Sequence, residues 1–334
     1  MSGVFFRRNV RSYLVTGIGD GNVKSRWKKI LLGALVIFIG ILVVCILVAW
    51  AGFWILDKTN GRIVSSGVTR RYLLFVPKTY DKSKATPLVI SLHPAATWPA
   101  VEMNISRWNE LADERSFLVV YPEGTGAFFG GLGPGPQVFP MDPDSLERDV
   151  KFISDLIDEL EGEYNVDANR IYINGMSNGG GMAFLLSCLL SERVAALGVV
   201  AGAYPHSTDL CGDSRAMPTV IFHGTADKFA PYQGGKSPIA PRPFANVPEW
   251  IAGLARRNQC KAQPSETRVA PDVRRLTYTN CVDNADVVLY TVEGGGHTWP
   301  GGKHLAEWVA GHTTDDISAT KVMWEFFAEH PRVR

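Results

Sequence analysis

Three short stretches carry the residue types that nucleophilic catalysis needs. Gly175-Met176-Ser177-Asn178-Gly179 spells G-x-S-x-G, between the β-branched and aromatic run Arg170–Asn174 and the helix-like Met182–Leu190. In a strand–turn–helix context this pattern lifts a serine hydroxyl above a sheet on a sharp, strained turn. A Cβ at 175 or 179 would clash across that turn, which accounts for both glycines. Glycines at 179–181 weaken a helix start by roughly 1 kcal/mol each relative to alanine, so packing or function must compensate. A serine hydroxyl is a weak nucleophile and requires a base, itself oriented by a third group.

The base and its orienter follow in the order Ser, acid, His. His297 lies in Gly294-Gly295-Gly296-His297-Thr298-Trp299-Pro300, a glycine-rich loop after the apolar run Val287–Val292. His304 and His312 occupy a polar stretch and are expected to be solvated. Asp227 turns off the end of the apolar strand Thr219–His223, through Gly224-Thr225-Ala226, which suits it to orient an imidazole. Asp272, Asp283 and Asp286 follow no such strand, and His223 within the strand reads as a satisfied core histidine. Acyl transfer also needs donors for a developing oxyanion. The N–H of Asn178, next after the nucleophile, is one candidate. The other belongs to the loop His93-Pro94-Ala95-Ala96-Thr97-Trp98, where Pro94 has no N–H to give. Ala95 is the expected donor, with Ala96 in reserve.

The elements that must position these residues alternate along the chain. Strand-like runs at Tyr72–Val76, Pro87–His93, Phe117–Tyr121, Ala195–Ala201, Thr219–His223 and Val287–Val292 are separated by helix-like segments. Those segments are Ser106–Arg115, Ser145–Glu163, Val247–Arg257 and Asp316–Glu329. Gly124–Pro143, with six glycines and four prolines, reads as loop. Buried strands alternating with helices imply an α/β fold: a mostly parallel central sheet with helices on both faces, and chemistry at the carboxyl ends of its strands.

The N-terminus is organised differently. Met1–Lys29 carries seven basic residues against Asp20, a net charge of +6, whereas residues 30–334 carry −5 in a chain of net charge +1. The basic character is thus confined to the tail, and the rest bears no electrostatic footprint for nucleic acid. Ile30–Leu56 is 27 residues without a charged side chain. As a helix it would span about 40 Å, enough to cross a bilayer core of about 30 Å. The expected organisation is a basic cytoplasmic tail (1–29), a transmembrane anchor (30–56) and a catalytic domain (57–334) on the periplasmic or extracellular side. Ala49-Trp50-Ala51 resembles a signal-peptidase site and Leu42-Val43-Val44-Cys45 a lipobox. The long basic lead and the bulk of Val44 argue for an uncleaved anchor instead. Cys45 lies in the span, leaving Cys188, Cys211, Cys260 and Cys281 outside. Four cysteines allow three connectivities; sequential pairing would close two short loops, as in exported enzymes. No C-x-x-C or close Cys/His pair suggests a metal site.

Ser-Leu-His before a turn, Gly-Met-Ser-Asn-Gly-Gly, His-Gly-Thr-Ala-Asp and Gly-Gly-Gly-His-Thr-Trp-Pro-Gly-Gly occur in this order between about Ser66 and Glu329. Together they resemble the polyhydroxybutyrate depolymerase and feruloyl/acetylxylan esterase group of α/β-hydrolases. The resemblance implies an α/β-hydrolase fold, a Ser177–His297–Asp227 triad, the pairs Cys188–Cys211 and Cys260–Cys281, and Trp299 beside the acyl pocket. Phe128, Phe129 and Trp98 are further aromatic candidates for that pocket. The chain departs from the group in reading His93-Pro94 where relatives read His-Gly, and in its apolar N-terminal stretch. The expected activity is a membrane-anchored serine esterase that hydrolyses carboxylic esters of polyhydroxybutyrate or feruloyl type, without a cofactor. An envelope acyltransferase on the same triad, a serine peptidase and a non-catalytic binding domain are the alternatives.

Overall fold

Stretches rich in Val, Ile and Leu make the centre of the sheet, and polar hairpins finish its edges. The computed structural model describes residues 20–56, 58–127, 137–139, 143–202, 211–212, 214–238, 240–261 and 263–332. The chain divides into two units between Ile55 and Leu56.

The first unit holds all but the last residue of α1 (Asp20–Leu56). The helix begins ten residues before the apolar run, so its first turns belong to the basic segment. Arg26–Cys45, 20 residues of mean hydropathy 2.5, is long and apolar enough to cross a membrane, a property that signal sequences share. Its side chains are exposed throughout.

In the second unit the order is β1 (Gly61–Ser65), β2 (Val68–Phe75), β3 (Thr86–Leu92), α2 (Pro99–Ser106), α3 (Trp108–Arg115), β4 (Leu118–Pro122), β5 (Gly126–Ala127), β6 (Gln137–Val138), α4 (Pro143–Glu163), β7 (Val166–Met176) and α5 (Asn178–Leu189). Then come β8 (Ala196–Val200), β9 (Thr219–Gly224), β10 (Gly235–Ser237), β11 (Ala240–Phe244), α6 (Val247–Arg257), β12 (Ser265–Ala270), β13 (Val273–Tyr278), β14 (Val287–Val292), α7 (Glu307–Ala310) and α8 (Ala319–Glu329). The ten-stranded sheet has the order β1-β2-β4-β3-β7-β8-β9-β14-β13-β12. Pairing is parallel from β4 to β14 and antiparallel beyond, where β1–β2 and β12–β13 close the two ends.

This is the α/β arrangement expected from the sequence: a mostly parallel sheet with helices on both faces. Side chains alternate across it. Leu88, Ile90 and Leu92 of β3 enter one core, with Phe152, Ile153 and Leu156 of α4, Met182 and Leu186 of α5, and Ile251 and Leu254 of α6. Val89 enters the other, with Trp108 and Leu111 of α3 and Met323 and Phe327 of α8. A strand covered on both faces has no polar side to show, which is why β3, β4, β8, β9 and β14 read as predominantly apolar runs.

The helix expected at Ser106–Arg115 is α3, which starts at Trp108, and a further helix, α2, precedes it and ends at Ser106. Arg107 takes a left-handed φ of 58° between α2 and α3 and breaks the run. The helix after the serine starts at Asn178, not Met182, so the three glycines belong to its first turn.

Candidate active site

β7 runs into the turn without a break. Ser177 then adopts φ 54° and ψ −119°, the left-handed region that costs a non-glycine residue about 1–3 kcal/mol, before α5 begins at Asn178. The strain is held by neighbours. The Ser177 N–H donates to Val200 O of β8 (2.9 Å), and the Ser177 carbonyl accepts from the Gly181 N–H (3.0 Å). A Cβ at Gly175 would lie 2.5 Å from the Gly179 carbonyl, and one at Gly179 would strike Leu92 O and lie 2.6 Å from His93 O. The loop after β3 is therefore seated directly on the first turn of α5.

Asp227 follows β9 and His297 follows β14, the parallel neighbour of β9, so both leave the sheet at the edge where β7 delivers Ser177. His297 Nδ1 lies 2.7 Å from Asp227 Oδ2, while Oδ1 accepts the N–H groups of Phe229 and Ala230 at 2.8 Å each. Burial opposes ionisation of this carboxyl. The hydrogen bond and charge of His297, aided by His223 and the Ala230 N–H, nevertheless hold its pKa below the ordinary aspartate value. His223 is buried as expected of a core histidine, but it is also part of the site. Its Nε2–H donates to Ala230 O (2.8 Å) and lies 3.6 Å from Asp227 Oδ2, and burial keeps the ring neutral by lowering its pKa.

The two loops are joined through their backbones. The N–H groups of Thr225 and Ala226 donate to Val292 O and Gly295 O, and the Gly294 N–H donates to Thr225 Oγ1. On the far side the N–H groups of Gly296 and His297 donate to His312 O and Ala310 O. Gly296 is required here because a Cβ would meet the Ala310 carbonyl. His297 thus hangs between two backbone anchors, with the Phe229 ring edge-on at 5.3 Å.

The loop from His93 to Trp98 is fastened by groups the sequence did not single out. His93 is fully buried, and burial drops its pKa to about 4, so the ring is neutral. It donates from Nδ1 to Pro94 O (2.9 Å) and accepts the Gly124 N–H at Nε2 (3.0 Å). Thr97 Oγ1 donates to the same Pro94 carbonyl (2.7 Å). The His-Pro departure therefore removes a donor and leaves a carbonyl that clasps the loop from both ends. Ala95 follows, half-buried, and Ala96 takes φ 58°. The Asn178 side chain pairs with Phe139, donating from Nδ2 to its carbonyl (3.0 Å) and accepting its N–H at Oδ1 (2.8 Å). That leaves the Asn178 backbone N–H, in the first turn of α5, without an intrahelical acceptor.

Trp299 is placed differently from the expected pocket wall. It is 1% exposed, donates from Nε1 to Thr320 Oγ1 (2.9 Å), and packs beneath the His297 loop in the core shared with α8. His304 and His312 are exposed. Cys188 is bonded to Cys211 and Cys260 to Cys281, while Cys45 is free and exposed. Phe128 and Phe129 lie outside the described residues.

No family model matches the sequence. The putative esterase NocK of Nocardia uniformis subsp. tsuyamanensis is 30% identical over 262 residues, 73% of this chain and 74% of its own. Feruloyl esterase B of Piromyces equi is 30% identical over 248 residues, 70% of this chain. The chain belongs to the feruloyl/acetylxylan esterase group of α/β-hydrolases. This esterase spans 44% of the Piromyces protein's length. Among solved structures, the acetyl xylan esterase from Aspergillus awamori shares its fold at TM-score 0.57 and 15% identity, over 80% of this chain and 98% of that one. An S-formylglutathione hydrolase from Agrobacterium tumefaciens does so at TM-score 0.50 and 13% identity, over 83% and 99%. The protein is a carboxylic ester hydrolase.

Proposed function

We propose that this esterase works through a Ser177–His297–Asp227 triad and a covalent acyl-enzyme. The carrying observation is the 2.7 Å His297 Nδ1 to Asp227 Oδ2 contact, at the sheet edge where a strained Ser177 is delivered. Ser177 Oγ attacks the ester carbonyl while His297 Nε2 takes its proton and returns it to the departing alcohol. Asp227, fixed by two backbone N–H groups, holds the imidazole in the tautomer that leaves Nε2 free to accept. The backbone N–H groups of Asn178 and Ala95 receive the oxyanion. Water, activated by His297, then releases the acid, with no cofactor in the cycle.

The substrate class proposed is an ester of a feruloyl-type aromatic acid or of a hydroxyalkanoate, as in polyhydroxybutyrate; relatives named feruloyl esterases support the first. The site of action proposed is outside the cytoplasm, with α1 as an uncleaved single-pass anchor and the N-terminus inside. Its support is the +6 tail ahead of 27 uncharged residues, together with two disulfides in the second unit.

The test is a variant series on a chromogenic acyl ester, followed by feruloyl esters, polyhydroxybutyrate and acyl esters of graded length. Ser177→Ala and His297→Ala are each expected to cut kcat by roughly 10⁴–10⁶, and Asp227→Asn by somewhat less. The Ser177/His297 double variant should be little worse than either single one. Near-normal turnover in His297→Ala would reassign the base.

A further inference from the structure

Behind the loop that follows β3 there is a buried carboxyl that the proposed mechanism does not use. Glu102, in the middle of α2, is 0% exposed, and its Oε2 has no hydrogen-bond partner among the described residues. Its Oε1 lies 2.9 Å from Ser91 Oγ, which lies 2.9 Å from Asn174 Oδ1. Asn174 Oδ1 also accepts from Trp108 Nε1 (3.2 Å), and Asn174 Nδ2 donates to Ile90 O (3.3 Å). Those two contacts fix the amide, since a flip would set N–H against N–H and carbonyl against carbonyl.

The hydrogen count then decides the protonation state. Ser91 has one hydrogen and stands between two oxygens. If Glu102 were ionised, one of the two 2.9 Å contacts would be an oxygen–oxygen repulsion inside the core. With the proton on Oε1, the chain is complete: Glu102 donates to Ser91 Oγ, and Ser91 donates to Asn174 Oδ1. Burial acts in the same direction, lifting the Glu102 pKa to about 8 against the smaller opposing effect of Ser91.

The placement gives the chain of bonds its purpose. Ser91 stands just before the His93–Trp98 loop and is in register with Asn174 of β7. Glu102 stands just after that loop, on the helix it leads into. We infer that Glu102 is a positioning residue: through Ser91 and Asn174, its neutral carboxylic acid holds both ends of the proposed oxyanion loop to the strand that ends in Ser177. This inference rests on the proposed roles of Ser177 and Ala95. When the proton is lost at alkaline pH, Ser91 has one hydrogen for two acceptor oxygens, one of its two 2.9 Å contacts becomes repulsive, and the loop is released. The titratable side chains on the surrounding elements stay neutral across that range: Tyr121 on β4 and Tyr172 on β7, both raised by burial, and His93 in the loop after β3, lowered by it. Among the described residues no cation pairs with Glu102.

The test compares Glu102→Gln, Glu102→Leu and Ser91→Ala with the parent enzyme between pH 6 and 10. Glutamine keeps a neutral donor, so kcat at pH 7 should stay within about threefold, while the alkaline fall of kcat expected of the parent shifts upward or disappears. Leucine, or alanine at 91, removes the link and should lower kcat about 10- to 100-fold at nearly unchanged KM. Infrared difference spectra at pH 7 should show a protonated-carboxyl C=O band that Glu102→Gln abolishes. An alkaline limb identical in parent and Glu102→Gln, or no such band, overturns the inference. The Glu102→Gln arm decides even if the leucine variant fails to fold. Full turnover in Ser177→Ala would instead sink the reading of the site itself, so the two failures are distinguishable.

Discussion

Gly179→Ala tests whether the loop after β3 is held against the nucleophile turn by contact. The added methyl would lie 2.6 Å from His93 O and closer still to Leu92 O, whereas real Cβ atoms essentially never come within 3.0 Å. The end of β3 at Leu92 and the loop from His93 must therefore retreat together by roughly 1 Å, because the strained Ser177 turn, tied to Val200 and Gly181, has no room to yield. Overpacking of this kind costs about 1–3 kcal/mol, against which alanine returns about 1 kcal/mol of helix propensity. The net loss of stability should therefore be small, about 0–2 kcal/mol. Activity should fall much further, because a 1 Å misplacement costs about 10²-fold and one lost oxyanion donor about 10²–10³-fold. Urea unfolding and kcat on a chromogenic ester, measured on the same preparation, separate the two effects. Gly162→Ala in α4 is the control: its Cβ meets nothing within 4 Å, so it should gain up to about 1 kcal/mol and leave kcat alone. A folded Gly179→Ala enzyme within threefold of the parent's kcat would refute the reasoning.

Other outcomes follow from the same structure. Opening Cys260–Cys281, by Cys260→Ser with Cys281→Ser, should cost about 3 kcal/mol in the chain-entropy model. Because this pair ties the end of α6 to the segment leading into β14, kcat should fall with Tm; an unchanged melting curve would show the bond to be dispensable. Protein stability should fall as pH rises from about 4.5 to about 8. The folded-state pKa of Glu102 is raised, so its contribution is complete below the ordinary glutamate pKa and lost through the folded one. The whole span is worth on the order of 5 kcal/mol at about 1.4 kcal/mol per pH unit, and Glu102→Gln should remove that slope from urea midpoints. For topology, protease added to intact cells, with any outer membrane permeabilised, should remove the catalytic domain and spare the tail. A free domain beginning near Gly52 would mean cleavage instead of anchoring.

The central strands were legible because a strand covered on both faces carries mostly apolar residues, as β3 and β14 do. Ser177, Asp227 and His297 were legible because each sits where such a strand runs out into small residues. The edges were not. β12 (Ser-Glu-Thr-Arg-Val-Ala) is exposed along most of its length, β13 (Val-Arg-Arg-Leu-Thr-Tyr) is half-buried, and both are too polar to show as an apolar run. The break at Arg107 gave no signal either, since nothing in Ile-Ser-Arg-Trp announces a left-handed arginine. Glu102 gives no signal in the sequence, since it lies outside the expected helix Ser106–Arg115, and only the meeting of α2 with Ser91 and Asn174 makes it a buried acid. His93 and Asn178 carried a partial signal, as polar residues flanking turns, but their side-chain partners Gly124 and Phe139 lie in a glycine- and proline-rich stretch without periodicity.

The hairpin that ends the sheet also governs how copies of this protein meet. β12 leaves one row of backbone donors and acceptors open to solvent, the kind of edge onto which a strand of another molecule can add. Residues 265–269 are all exposed, Glu266 and Arg268 stand along that edge, and the register slips between Arg268 and Ala270. A visiting strand would have to desolvate those charges and follow the slip, so this rim of the sheet is a poor template for growth even where molecules crowd together.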